Sequence, residues 1–124
     1  MLRSRQLSGP SFPARDSQEQ RLVGTYRLIL ELQRRLMSRY RETLKSGRIQ
    51  DALQITPFSG VRLASSPDLL KAVEEGYLRG ESLGDVMEFQ ITEKGFRIIG
   101  IDHTRADFTV GWRRVALLTD WNEE

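Results

Sequence analysis

The chain has no cysteine, which excludes disulfides and thiolate metal sites and removes any demand for an oxidising compartment. It has a single histidine, His103, so an H-x-x-x-H helix pair cannot form, and the acids near it do not make an EF-hand. There is no run of 18 apolar residues, so no transmembrane segment is expected. Gly80-x-x-x-Gly84 lacks the lysine of a Walker loop, and the Rossmann glycine spacing is missing. No metal and no cofactor are expected. The opening MLRSRQLSGPSFPARD is basic but has no continuous apolar stretch, unlike a secretory signal. Its first 15 residues hold arginine and serine and no acid, a composition shared with organellar transit peptides. The expected location is cytoplasmic.

What is present fits one modest core. The 124 residues suit a single domain, and 39% hydrophobic content is low for a globular protein yet above the disordered range. A formal charge of +2 hides an asymmetry. Residues 1–48 carry 11 bases against four acids, and residues 49–124 carry eight bases against 13 acids. A basic first half either neutralises the acidic second half or leaves a dipolar surface that orients a charged partner.

Residues 1–15 read as a flexible N-terminal tail and 16–124 as one α+β domain. Its main element is a helix over 17–46. Apolar residues recur there at helical spacing: Leu22, Val23, Tyr26, Ile29, Leu30, Leu36, Met37, Tyr40 and Leu44. Ser17 and Gln20 have the spacing of a capping box, and Gly47 suits the left-handed residue past the end. On a heptad, positions 23, 30, 37 and 44 form one line and 26, 33 and 40 another, with Gln33 in mid-face. The stripe is too broad for a narrow two-stranded seam and suits a helix packed on a sheet and on a symmetry mate.

Ile49 to Leu53 fits one helical turn ahead of Pro57, and Gly60 to Leu63 a short edge strand or an extended connector. Ser66-Pro67-Asp68 starts a second helix, 67–79, with Gly80 expected at its end. From Val86 the period becomes two. Met87, Phe89 and Ile91 share a face, predicting a strand at about 86–92. Glu93-Lys94-Gly95 is read as a turn, 96–101 as the return strand, and 108–118 as a third, longer strand kinked at Gly111. The predicted fold is two helices packed on a three- or four-stranded antiparallel meander.

The segment FQITEKGFRI resembles the wing region of winged-helix transcriptional regulators, where a strand leads into T-E-K-G and then a helix. The resemblance covers Phe89 to Ile98, under a tenth of the chain. The residues that follow are β-branched and break at Gly100, which favours a strand over the helix that the resemblance implies. The helix at 67–79 makes no convincing helix-turn-helix with what precedes it, and no family is assigned.

The one constellation with catalytic residue types is the loop Asp102-His103-Thr104-Arg105-Ala106-Asp107, where a carboxylate at Asp102 or Asp107 would orient the imidazole for proton transfer. Capping of the loop by the same acids explains it more simply. Phe89, Phe96, Phe108 and Trp112 would stack bases if solvent-facing, but a small sheet needs such residues for its core. Trp121, near the end of the chain, is a candidate for docking on a partner.

The leading expectation is a non-enzymatic accessory or assembly protein that forms a homodimer through its long helix and binds a protein partner. Leu22, Ile29, Leu36 and Tyr40 are the expected interface. The second reading is nucleic-acid binding through Arg27, Arg34, Arg35 and Arg41, with steep salt dependence. The third is a small enzyme built on the His103 loop.

Overall fold

The computed structural model describes residues 11–100 and 108–118, with side chains from residue 20 onward. It shows an α+β fold. A long helix, α1 (Ser11–Lys45), is followed by α2 (Ile49–Leu53), β1 (Val61–Leu63), α3 (Pro67–Glu74), β2 (Leu78–Leu83), β3 (Val86–Ile91), α4 (Glu93–Ile98) and α5 (Phe108–Leu118).

The helix α1 begins six residues before Ser17, so the expected tail at 11–15 is helical. Pro13 does not prevent this, because the first turn of a helix has no intrahelical partner for the amide that proline lacks. The part of the expected tail at 1–10 lies outside the described residues. At the other end, Gly47 adopts φ +80°. The Gly47 amide donates to the Leu44 carbonyl (2.9 Å) and the Arg48 amide to that of Thr43 (3.2 Å), a Schellman termination.

The core-facing stripe of α1 is Thr25, Ile29, Leu32, Gln33, Leu36, Tyr40 and Thr43. Leu32, which the heptad lines omit, is among the most buried side chains. Thr25 and Thr43 tolerate burial because their hydroxyls donate to the carbonyls of Arg21 and Arg39 one turn back (3.0 and 2.8 Å). Gln33 is satisfied by Pro57, whose carbonyl accepts from its Nε2 at 3.0 Å.

The sheet is antiparallel with strand order β1-β3-β2, so β1 is the edge strand expected. Val61 pairs with Phe89, and Leu78 with Ile91. This is not the expected meander: only β2 and β3 form a hairpin, and β1 crosses to the far side of β3. The predicted alternation on β3 holds, with Phe89 and Ile91 buried in the core.

Three elements differ from expectation. The start of α3 is as predicted: Ser66 Oγ accepts from the Leu69 amide at 3.2 Å, with Pro67 in the first turn. Its end comes earlier, at Glu74. Gly76 takes φ +88°, and the amides of Gly76 and Tyr77 return to the carbonyls of Val73 and Ala72. Residues 78–83 are thereby released to form β2. They turn back through Gly84-Asp85, a two-residue hairpin loop whose first residue has φ +80°.

The expected return strand at 96–101 is replaced over 93–98 by α4. Thr92 is the cause. Its backbone is extended, its Oγ1 accepts from the Gly95 amide at 3.2 Å, and Glu93 in the first turn pairs with Arg97 at 2.9 Å. The same hydroxyl donates to the Gly76 carbonyl. Lys94 Nζ donates to the Glu75 carbonyl at 2.8 Å and lies over the Tyr77 ring. Gly95 is buried against the Tyr77 carbonyl, where a Cβ would come within 2.4 Å of the oxygen. All four residues of T-E-K-G thus act together: a cap, a first-turn acid, a lysine on the α3 terminus and a glycine for close approach. In place of the expected turn and return strand, β3 leads through Thr92 directly into α4.

The expected third strand, 108–118, is the helix α5. Trp112 and Ala116 are buried at a spacing of four, with Phe108 partly buried one turn earlier. Alternation of Phe108, Val110 and Trp112 mimics a strand, but Val110 is exposed. Trp112 packs on Tyr40 (5.9 Å between ring centroids), and Phe108 on Phe58 and Phe96. Arg113 donates to the Leu53 carbonyl at 2.6 Å, holding α5 to the end of α2.

Candidate interaction face

The expected interface residues divide sharply. Ile29, Leu36 and Tyr40 lie in the protomer's own core, at 0%, 1% and 5% exposure. They cannot contact a second copy in the folded chain, which corrects the expectation for three of the four. Leu22 is 47% exposed and has neighbours of the same kind: Val23 (48%), Tyr26 (42%) and Leu30 (42%).

Val23, Tyr26 and Leu30 belong to the two heptad lines, and Leu22 flanks them on the row that continues into the buried Ile29 and Leu36. The same lines continue toward the C-terminus as Gln33 and Tyr40, which are buried, and Met37 and Leu44, which are partly buried. Gln33 is tied to Pro57, Tyr40 packs on Trp112, and Met37 and Leu44 rest on the core. One apolar seam therefore runs along α1. Its C-terminal half is closed by α5 and by the segment around Pro57, and its N-terminal half is open among the described residues.

Charged groups surround the open half. Arg27 is exposed and makes no ion pair among the described residues. Arg34 and Arg35 are both exposed and share Glu31, at 3.4 and 3.1 Å. Arg41 is half-buried. Successive positions on a helix are about 100° apart, so Arg34 and Arg35 diverge. Arg27, Arg34 and Arg41, at intervals of seven, follow one side of the seam, whereas Arg35 turns toward β1. There it lines a groove of about 470 Å³ with Arg39, Arg62 and Glu88. The four arginines proposed for nucleic acid do not form one track.

A second groove, about 520 Å³, lies between α1 and α3. It sets Arg21, Arg27 and Lys71 against Glu31, Asp68 and Glu75, and Arg21 pairs with Glu75 at 3.0 Å. Balanced charge makes it a poor anion site. A smaller hollow of about 380 Å³ joins Leu22 and Thr25 to Tyr77 and Lys94.

On a larger scale the sign of charge divides by element. Residues 20–45 of α1 carry seven bases and two acids, while residues 67–93 carry seven acids and two bases. On β3, Glu88 lies directly between Arg62 of β1 and Glu81 of β2. The helix α3 and the β2–β3 hairpin are acidic and would repel a phosphate backbone.

Asp102, His103, Asp107 and Trp121 lie outside the described residues. Among the described residues no group of three or more His, Asp or Glu is placed to hold a metal ion. No described helix is long and apolar enough to cross a membrane. Comparison with protein-family models, curated proteins and solved structures finds no match.

Proposed function

We infer that the chain is a non-enzymatic accessory or assembly protein that binds a protein partner through the N-terminal half of α1. The observation that carries this reading is the open seam. Leu22, Val23, Tyr26 and Leu30 hold four large apolar side chains on two turns of helix, each more than two-fifths exposed. Scattered exposed apolar residues are ordinary, but a contiguous patch on a rigid element marks an interaction surface. Homodimerisation, if it uses α1, must use these residues in place of Ile29, Leu36 and Tyr40.

A photo-crosslinking amino acid in place of Tyr26, introduced in the native host, tests the reading. An adduct is expected from position 26, lost on Leu30→Glu and absent when the crosslinker replaces the exposed Glu81 on β2. An adduct of twice the chain mass assigns the seam to self-association. An adduct of any other mass assigns it to a partner, and no adduct from position 26 defeats the reading.

The nucleic-acid reading rests on Arg27, Arg34, Arg35 and Arg41. If all four held phosphates of a duplex, log K would fall against log salt with a slope of about −3.6. The divergence of Arg35 from the others predicts a shallower slope. Measurement by anisotropy on a fluorescent duplex, repeated with the four arginines replaced by glutamine, decides it.

A further inference from the structure

We propose that the open seam receives a short amphipathic helix with acidic flanks from a different protein, and not a second copy of this chain. This rests on the partner-binding reading above and specifies the partner's chemistry.

The seam is short. From Leu22 to Leu30 it spans roughly 12 Å of helix. One heptad earlier, positions 16 and 19 are Asp and Glu, so the apolar lines do not extend toward the N-terminus. Toward the C-terminus they pass under α5. A parallel two-stranded coil needs several uninterrupted heptads, and here fewer than two are free. An occupant of two to three turns matches the length available.

The face is also small: four side chains, each a little under half exposed on two turns of helix, against the roughly 1,200 Å² or more of total surface that stable interfaces bury. Val23, Tyr26 and Leu30, at i, i+3 and i+7, make a short apolar ridge on α1, against which one amphipathic helix can lay its own apolar stripe.

The seam is basic along one border, where Arg27 and Arg34 lie, whereas on the other Lys94 is held by the Glu75 carbonyl and the Arg21–Glu75 pair lines the same hollow as Leu22 and Tyr77. In an antiparallel pair related by a two-fold axis, like positions of the two helices meet on the same side. A pair centred on Tyr26 would place Arg27 beside Arg27 of the second copy, which costs stability. A helix carrying Glu or Asp beside its apolar stripe meets Arg27 and Arg34 favourably. The acidic surface of this chain is on α3 and the hairpin, where Leu69, Ala72, Leu78, Phe89 and Ile91 are buried in its own core and Leu70 and Leu83 are exposed singly, with no apolar stripe between acidic flanks.

The test uses the full chain and two designed helical peptides with the same leucine stripe, one flanked by glutamate and one by lysine. Fluorescence anisotropy at low salt should show the glutamate peptide binding at least tenfold more tightly. Raising the salt should narrow the gap. Arg27→Glu with Arg34→Glu should reverse the preference, and Tyr26→Asp should weaken both peptides. All three positions are exposed, and circular dichroism verifies that the variants fold. Equal binding of the two peptides, or a preference that survives the charge reversal, overturns the proposal. A chain dimer in light scattering that Tyr26→Asp dissociates also overturns it. A heterologous crosslink from position 26 together with equal peptide binding would sink the acidic-helix proposal and leave the partner-binding reading intact.

Discussion

Replacing Gly95 by alanine tests the junction that most distinguishes this fold from its expected form. An added Cβ would sit 2.4 Å from the Tyr77 carbonyl oxygen, 2.9 Å from Ile91 Cγ2 and 3.4 Å from Ile29 Cδ1. The first neighbour is backbone at the start of β2 and the second is a core side chain, so neither yields without moving α4 or the sheet. Overpacking of this kind costs about 1–3 kcal/mol. Alanine's better helix propensity returns at most about 1 kcal/mol. A net loss of about 1–2 kcal/mol corresponds to a urea midpoint lower by roughly 1 M for a domain of this size. Gly24→Ala is the internal control. It lies within α1 with nothing within 4 Å of its added Cβ, so the same substitution should raise stability by about 0.5–1 kcal/mol. Equilibrium urea unfolding followed by circular dichroism measures both. If Gly95→Ala is as stable as the parent chain, α4 does not approach the Tyr77 carbonyl as described, and the account of T-E-K-G fails.

Three further outcomes are expected. Thr92→Ala removes both the cap of α4 and the bond to the Gly76 carbonyl, and should cost about 1–2 kcal/mol in urea unfolding, with Thr92→Ser restoring most of it. Gln33→Leu keeps volume on the buried face but leaves the Pro57 carbonyl without its donor, lowering stability by about 1–3 kcal/mol; a neutral result would show water replacing the amide. Leu36→Asp should abolish the cooperative thermal transition because it buries a charge, whereas Leu30→Asp should shift the transition by less than about 0.5 kcal/mol. Equal effects of these two substitutions would contradict the division of α1 into a packed and an open face.

Where local chemistry decided an element, the sequence was readable. Ser66-Pro67-Asp68 set the start of α3, Gly47 the end of α1, and the alternation of Met87, Phe89 and Ile91 the central strand. Errors came where two periods fit the same letters. Phe108, Val110 and Trp112 alternate, yet Phe108, Trp112 and Ala116 recur every four residues, and contact with Tyr40 and Phe58 favours the helix. Gly76 falls inside the helix expected over 67–79. Once it is the left-handed terminator, Gly84-Asp85 becomes a hairpin loop and β2 follows. TEKG was legible as a motif, but its meaning depends on Tyr77 and the α3 terminus, which local spacing does not show. The candidate face was half legible. Val23, Tyr26 and Leu30 stood on the heptad lines, but their separation from Gln33, Met37 and Tyr40 depends on where α5 lies. That is a tertiary fact, and its omission turned three core residues into interface residues.

The length of α1 also affects how the molecule moves. At 35 residues the helix is about 52 Å long, whereas a compact chain of this size packs into a sphere roughly 35 Å across. A rod that overshoots its globule drags more solvent than a sphere of equal mass. One copy of this chain should therefore leave a sizing column early and sediment slowly, imitating a heavier particle on the first and a lighter one on the second. The two errors have opposite signs, so their disagreement identifies an elongated monomer, and a true dimer would raise both apparent masses together.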